Sequence, residues 1–316
     1  MKIAMIGSGA AGSVFACYLK KGGADLYLVD RYKAHMDKVS SLGMTFVTPA
    51  GEELITGFHT SYTADDIGIM DVVILMVKAT QTDAMMPSLA PCIGENTVVV
   101  SLQNGLGNDD VLKKYIPAGR ILYGFGTIGT ELPEPAKCVS KPESGVIMRF
   151  GAAEKSELSS AVGKELERLF ISGGCETVFE DDIRPFVWKK AITNSGYNSI
   201  SALTRLQVGV FLGNDNGVEL IRKIWQEGCS VCKAVTGVDL MPQMEEELPR
   251  LKEGFATLYP SMAQDVVIHQ RQTEISLLNG AIVRYGREYN IPTPVNETMV
   301  LLIGCIQENY DRQYRQ

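Results

Sequence analysis

The amino terminus constrains this chain more than any other stretch, because the apolar run Lys2-Ile3-Ala4-Met5-Ile6 leads directly into Gly7-Ser8-Gly9-Ala10-Ala11-Gly12. A short run that stays apolar after its first residue fits a strand buried on both faces. In a turn from such a strand into a helix, the first glycine permits the tight bend and the second lets backbone approach a pyrophosphate. The third lets helix and strand pack closely. The helix expected next, over 13–21, offers free N–H groups to phosphates at its start. A second strand, expected over 25–30, ends in Asp30 about where a dinucleotide's ribose should lie. An ordinary glycine-rich strand-to-helix turn carries similar residues, but the position between strand and helix, followed by Asp30, favours dinucleotide binding.

At 316 residues the chain is long for a single core and predicts two domains. A hydrophobic share of 45% and a charged share of 21% are those of a folded chain and exclude general disorder. The net charge of -7 argues against nucleic acid and anionic membrane as partners, since both need concentrated Lys and Arg. Seven scattered cysteines suit reduced thiols in a cytoplasm better than a disulfide framework. The close pair Cys229 and Cys232 lies in a helical stretch and lacks the second pair a zinc site needs, so no metal is expected. Reading the amino terminus as a cleaved leader is unattractive, because Gly7, Gly9 and Gly12 break the apolar helix a leader needs. No stretch approaches the ~20 apolar residues of a membrane span.

Further apolar runs over 72–77, 97–101, 120–124 and 177–179 predict a mostly parallel sheet with helices on both faces. A small hairpin is expected over 44–47 and 53–56. From Arg184 onward helical periodicity dominates, over 187–200, 216–236, 243–251, 261–288 and 293–307. The chain therefore reads as an α/β domain over 1–182 and an all-α domain over 183–316, with the acidic run Glu180-Asp181-Asp182 as the hinge.

Several polar residues stand out against this frame. Lys78 closes the run over 72–77, at the strand end where open α/β sheets bind ligands, although a solvated lysine reads equally well there. Gln103-Asn104-Gly105 follows the next strand as either a plain turn or an amide-rich ligand loop. Lys190, Asn194 and Asn198, four residues apart, share one helix face. Composition alone favours a hydrated face there, yet Asn is a poor helix former and its repetition asks for a reason. Ser261 and Glu274 add a hydroxyl and a carboxylate around the segment over 261–288.

Taken together, Gly7-Ser8-Gly9-Ala10-Ala11-Gly12, Val77-Lys78, Gln103-Asn104-Gly105, Trp188-Lys189-Lys190 with Asn194 and Asn198, and Ser261-Met262-Ala263-Gln264-Asp265 followed by Thr273-Glu274-Ile275 resemble the ketopantoate reductase (2-dehydropantoate 2-reductase) family. The likeness runs from Met1 to about Gln307. It implies a Rossmann-type doubly wound sheet, then an all-α second domain resembling that of 6-phosphogluconate dehydrogenase, with the active site in the cleft between them. It further implies reduction of 2-dehydropantoate to (R)-pantoate in pantothenate and coenzyme A biosynthesis. Carried over by position, Lys190 is the catalytic lysine and Glu274 the acid that bonds the substrate hydroxyl and steadies the lysine. Asn194, Asn198 and Ser261 are substrate-binding. Gly7, Gly9, Ala10, Ala11, Gly12, Asp30, Arg31 and Lys78 would hold the cofactor, with the cleft residue Asn104 counted among them.

Two departures qualify the likeness. The interval from Gln264 to Glu274 is one residue longer than the family pattern, which leaves the register between Ser261 and Glu274 open. Asp30 suits the ribose 2′-OH of NAD and would repel the 2′-phosphate of NADP, whereas Arg31 favours NADP, the cofactor to which the reading leans. A D-2-hydroxyacid dehydrogenase acting on branched 2-keto acids with NAD is one alternative. A dinucleotide-binding regulator without turnover is another, and a homodimer is compatible with the chain.

Overall fold

The strand β1 (Lys2–Ile6) is buried on both faces: Ile3 and Met5 enter one apolar core, Ala4 and Ile6 another. This computed structural model describes residues 1–142 and 145–313, so the last three residues of the helical domain expected over 183–316 lie outside it. The chain divides into two units, Met1–Gln103 with Asn108–Ile183, and Asn104–Gly107 with Arg184–Gln316.

In the first unit β1 is followed by α1 (Ala10–Lys21), β2 (Asp25–Val29) and α2 (Lys33–Leu42). Next come β3 (Met44–Thr48), β4 (Gly51–Ile55), β5 (His59–Ser61), β6 (Met70–Leu75), α3 (Thr82–Met85), β7 (Ile93–Ser101) and α4 (Asn108–Leu112). The unit is completed by β8 (Ile121–Gly126), β9 (Ile128–Glu134), β10 (Lys137–Pro142), β11 (Met148–Ala152), α5 (Glu157–Ser172) and β12 (Thr177–Glu180). The main sheet has the order β12-β11-β8-β7-β6-β1-β2-β5. It is parallel from β8 to β5, as the apolar runs require, whereas β11 pairs antiparallel with β8.

The expected small hairpin is real but incomplete. β3 and β4 form half of a second, four-stranded sheet of order β4-β3-β10-β9, in which β10 runs parallel to β3. This sheet covers the outer face of α1: Tyr18 meets Phe46 edge-on at 5.0 Å and hydrogen-bonds Ser140 at 2.7 Å between the hydroxyls. On α1, Phe15 also meets Phe170 of α5 edge-on. Burying aromatic side chains of this kind stabilises by about 2 kcal/mol each, so the helix that starts at the glycine turn is anchored on several sides.

The second unit contains α6 (Arg184–Thr204), α7 (Val208–Phe211), α8 (Asp215–Thr236), α9 (Met241–Gly254), α10 (Ser261–Gln264), α11 (Asn279–Glu288) and α12 (Pro294–Gln307). At its centre lies α6, buried continuously from Ala191 to Ala202 although much of that stretch is polar. Its hydroxyls turn back on the helix: Ser195 Oγ donates to Ala191 O and Ser199 Oγ to Ser195 O, which removes the cost of burying them. Gly196 and Gly228 let α6 and α8 approach closely, since a methyl at Gly196 would lie 2.6 Å from Trp225 Nε1.

The segment over 261–288 is not one helix. α10 runs into a π turn over Asp265–His269, Gln270 adopts φ +48°, and helix resumes only as a 3-10 turn at Ile275–Leu277 before α11. A π turn contains one more residue than an α turn, so the register of Ser261 does not run through to Glu274 on one helix.

Candidate active site

The three glycines of the first turn meet different needs. Gly7 has φ +96°, and a methyl there would lie 2.8 Å from Val77 N. A methyl at Gly12 would lie 2.0 Å from Gly7 O, so the helix could not start where it does. At Gly9 a methyl would meet nothing within 4 Å, so that glycine leaves open space over the turn. The first turn of α1 has no side-chain cap and no acidic residue. The N–H groups of Ala10, Ala11 and Gly12 therefore face this space with no intrahelical acceptor, as a bound pyrophosphate requires.

Buried groups hold the turn from behind. Ser8 N–H donates to Asp30 Oδ2 at 2.6 Å, and Ser13 Oγ donates to Ser8 O at 2.9 Å. His35, fully buried, accepts from Ala136 N–H at Nδ1 (3.0 Å). Its proton therefore sits on Nε2, which donates to Ser8 Oγ at 3.0 Å. Burial lowers the His35 pKa against a smaller opposing pull from the Asp30 carboxylate, keeping the ring neutral. Sequence reading missed His35, since nothing local ties it to Ala136, 101 residues away.

Asp30 carries a second bond as well: Oδ1 accepts from Tyr32 N–H at 2.9 Å, so both oxygens are engaged by backbone. Arg31 is exposed, and no carboxylate among the described residues pairs with it. Half-buried Lys78 lies just past β6, where Gln103 braces the backbone by donating from Nε2 to Val77 O at 2.8 Å. Asn104 is exposed on a loop that groups with the helical unit. Leu106 N–H donates to Leu277 O at 2.8 Å, and Gly105 packs where a side chain would strike Leu277. The asparagine therefore stands beside the turn that follows Glu274.

On α6, Lys190 is half-buried, while Asn194 and Asn198 are 5% and 4% exposed. The expectation of a hydrated face fails for both asparagines. Asn194 Oδ1 accepts from Tyr197 OH at 2.6 Å. Asn198 Oδ1 is buried with no partner among the described residues, a state that costs about 1–3 kcal/mol unless a ligand or water supplies a donor. Ser261 is exposed at the start of α10, and half-buried Glu274 directly precedes the 3-10 turn.

A buried polar chain also missed by sequence reading braces α6. Asn279 Nδ2 donates to Ser195 O and to Asn296 Oδ1, both at 3.1 Å. Asn296 Nδ2 in turn donates to Glu227 Oε2 at 2.8 Å. An ammonium, two carboxamides, a hydroxyl and a carboxylate thus stand on one braced unit, a set suited to binding and protonating a small oxyacid. Among the described residues no cluster of His, Cys, Asp and Glu could hold a metal, and no helix is long and apolar enough to cross a membrane.

Comparison with known proteins relates both parts of the chain to one family. Residues 3–153 match the family model described as ketopantoate reductase PanE/ApbA, and residues 182–307 match that of its C-terminal part. A 2-dehydropantoate 2-reductase of Streptococcus pyogenes serotype M6 is 30% identical over 93% of this chain and 94% of its own. A PanE/ApbA family ketopantoate reductase from Ralstonia eutropha superposes with a TM-score of 0.85 at 25% identity, covering 99% of this chain and 100% of the other. D-mandelate dehydrogenase in complex with NADH superposes with a TM-score of 0.83 at 25% identity, covering 98% and 99%.

Proposed function

Since the chain belongs to the ketopantoate reductase family, we propose that it reduces 2-dehydropantoate to (R)-pantoate with NADPH, as a soluble enzyme of pantothenate and coenzyme A biosynthesis. The observation that carries the reading is the buried Asn198 Oδ1, unpartnered among the described residues and on the same face of α6 as Lys190. A polar atom so placed awaits a donor that enters with the substrate, water included.

The nicotinamide, when bound, supplies the hydride to the ketone carbon. Lys190 holds the ketone oxygen with its ammonium, stabilises the charge that develops there and gives up a proton to it. Ser261 donates to the substrate carboxylate, and Asn194 and Asn198 orient the substrate. Glu274 accepts from the substrate hydroxyl, which separates the substrate from simpler keto acids. Gly7, Gly9 and Gly12 with the N–H groups of Ala10 and Ala11 take the pyrophosphate.

The lean toward NADPH rests on two contacts. Both Asp30 oxygens are engaged by Ser8 and Tyr32 N–H groups, while the Arg31 guanidinium beside them is unpaired among the described residues and open to a 2′-phosphate. A second reading, a D-2-hydroxyacid dehydrogenase using NADH on branched 2-keto acids, draws on the likeness to D-mandelate dehydrogenase.

Replacing Lys190 by Ala tests the central assignment. It should lower kcat by about two to four orders of magnitude while cofactor affinity stays nearly constant, because proton donor and oxyanion partner go together. A variant that keeps most of its kcat at saturating substrate would overturn it.

A further inference from the structure

The strap over 270–274 carries Glu274 and lies outside any helix, so the direction of that carboxylate depends on what holds the strap. One side chain holds the residue before Glu274, and that residue in turn holds the one after. Gln307, the last residue of α12, accepts two hydrogen bonds at Oε1, from Thr273 N–H at 3.1 Å and from Thr273 Oγ1 at 2.9 Å. The same Thr273 hydroxyl oxygen accepts from Ile275 N–H at 3.3 Å. Glu274 is thus bracketed by two residues, each 3% exposed: Thr273, tied to the amide oxygen of Gln307, and Ile275, tied to Thr273. A second pin lies just beyond α12, where Tyr310 OH donates to Arg271 O at 2.8 Å. At its other end α12 is fixed by Asn296, which is bonded to Glu227 and to Asn279, and Asn279 bonds Ser195 O on α6. A single helix therefore links the strap of Glu274 to the helix that carries Lys190.

We propose that Gln307 is the positioning residue that aims Glu274 at the substrate hydroxyl and so sets selectivity for hydroxylated 2-keto acids. The inference rests on the reading of Glu274 given above. Gln307 touches neither substrate nor cofactor in this role. It fixes the strap, and a displacement of about 1 Å at such a distance is enough to weaken a directed hydrogen bond severely.

The test measures KM with saturating NADPH for 2-dehydropantoate and for the same branched 2-keto acid without its hydroxyl. Gln307→Leu, which removes the acceptor at similar size, should raise KM for 2-dehydropantoate about tenfold and leave the other within about twofold. Gln307→Glu keeps the accepting oxygen and should restore the wild-type ratio. If Gln307→Leu does not fold, Thr273→Val, which removes the hydroxyl arm alone, should raise the ratio about threefold. Equal losses on both keto acids, or failure of Gln307→Glu to restore the ratio, overturn the proposal. Glu274→Gln, assayed alongside, separates the two ideas. A hydroxyl-selective loss in Glu274→Gln without one in Gln307→Leu defeats the role of Gln307 alone. No selective loss in Glu274→Gln defeats the reading of Glu274, and the role of Gln307 falls with it.

Discussion

A methyl group added at Gly9 separates what the fold needs from what the cofactor needs. The residue has φ −71° and ψ −164°, which alanine adopts without strain, and its Cβ would meet no atom within 4 Å. Unfolding free energy without cofactor should therefore change by no more than about 0.5 kcal/mol, a shift of roughly 2 °C or less in melting temperature for a unit of this size. Cofactor affinity should respond differently. An N–H group approaches phosphate oxygen to about 2.9 Å, whereas a methyl holds it off at about 3.5 Å or more. Pushing the pyrophosphate outward by most of an ångström forfeits at least one charge-assisted hydrogen bond, worth about 1.5–3 kcal/mol, so the Kd for NADPH should rise at least about tenfold. Gly12→Ala is the contrast, because its Cβ would sit 2.0 Å from Gly7 O, backbone against backbone. Overpacking of that kind costs about 1–3 kcal/mol, so this variant should lose both stability and binding. Thermal unfolding without cofactor and titration calorimetry with NADPH read the two quantities separately. If Gly9→Ala binds NADPH as the wild type does, or melts as low as Gly12→Ala, the assignment of the open space to the pyrophosphate is wrong.

Two further outcomes follow from the groups behind the turn. Arg31→Ala should weaken NADPH by about tenfold or more while barely affecting NADH, and Asp30→Ala should weaken both alike, because its carboxylate holds the Ser8 and Tyr32 N–H groups; dissociation constants for the four pairs decide this. His35 titrates below its ordinary value of 6.5 in the folded chain because it is buried, so below pH 6.5 the unfolded chain binds more protons than the folded one. Stability should therefore be fully present above pH 6.5 and decline as pH falls toward the folded-state value, and His35→Gln should flatten that slope in urea unfolding followed between pH 7.5 and 5.5, a window chosen on either side of the 6.5 value.

The order of strands and helices was legible where burial imposes one pattern. The run Ile3 to Ile6 is apolar because each residue faces a core, and Gly7 and Gly12 are glycine because backbone occupies the space a side chain would take. The second sheet was half hidden: β9 alternates partly buried with exposed positions, carries Gly129 and Pro133, and is a sheet edge, so no apolar run marks it. The break after α10 was hidden as well, since the left-handed residue is Gln270 and no glycine or proline announces it. The shared face of Lys190, Asn194 and Asn198 was legible because four-residue spacing is local, yet the burial of the two asparagines was not, because it depends on the helices packed around α6. His35 and Gln307 act on residues distant in sequence, and no local pattern names such a partner.

Initial rates of the purified protein with each reduced cofactor against 2-dehydropantoate and against the branched 2-keto acid lacking the hydroxyl bear most directly on the proposed activity. If Glu274 reads the hydroxyl and Arg31, unpaired among the described residues beside an engaged Asp30, holds the 2′-phosphate, kcat/KM should be highest for 2-dehydropantoate with NADPH, by about tenfold or more over either change of partner. A tenfold or greater preference for NADH, equal turnover of the keto acid without the hydroxyl, or no turnover of 2-dehydropantoate at all would contradict it.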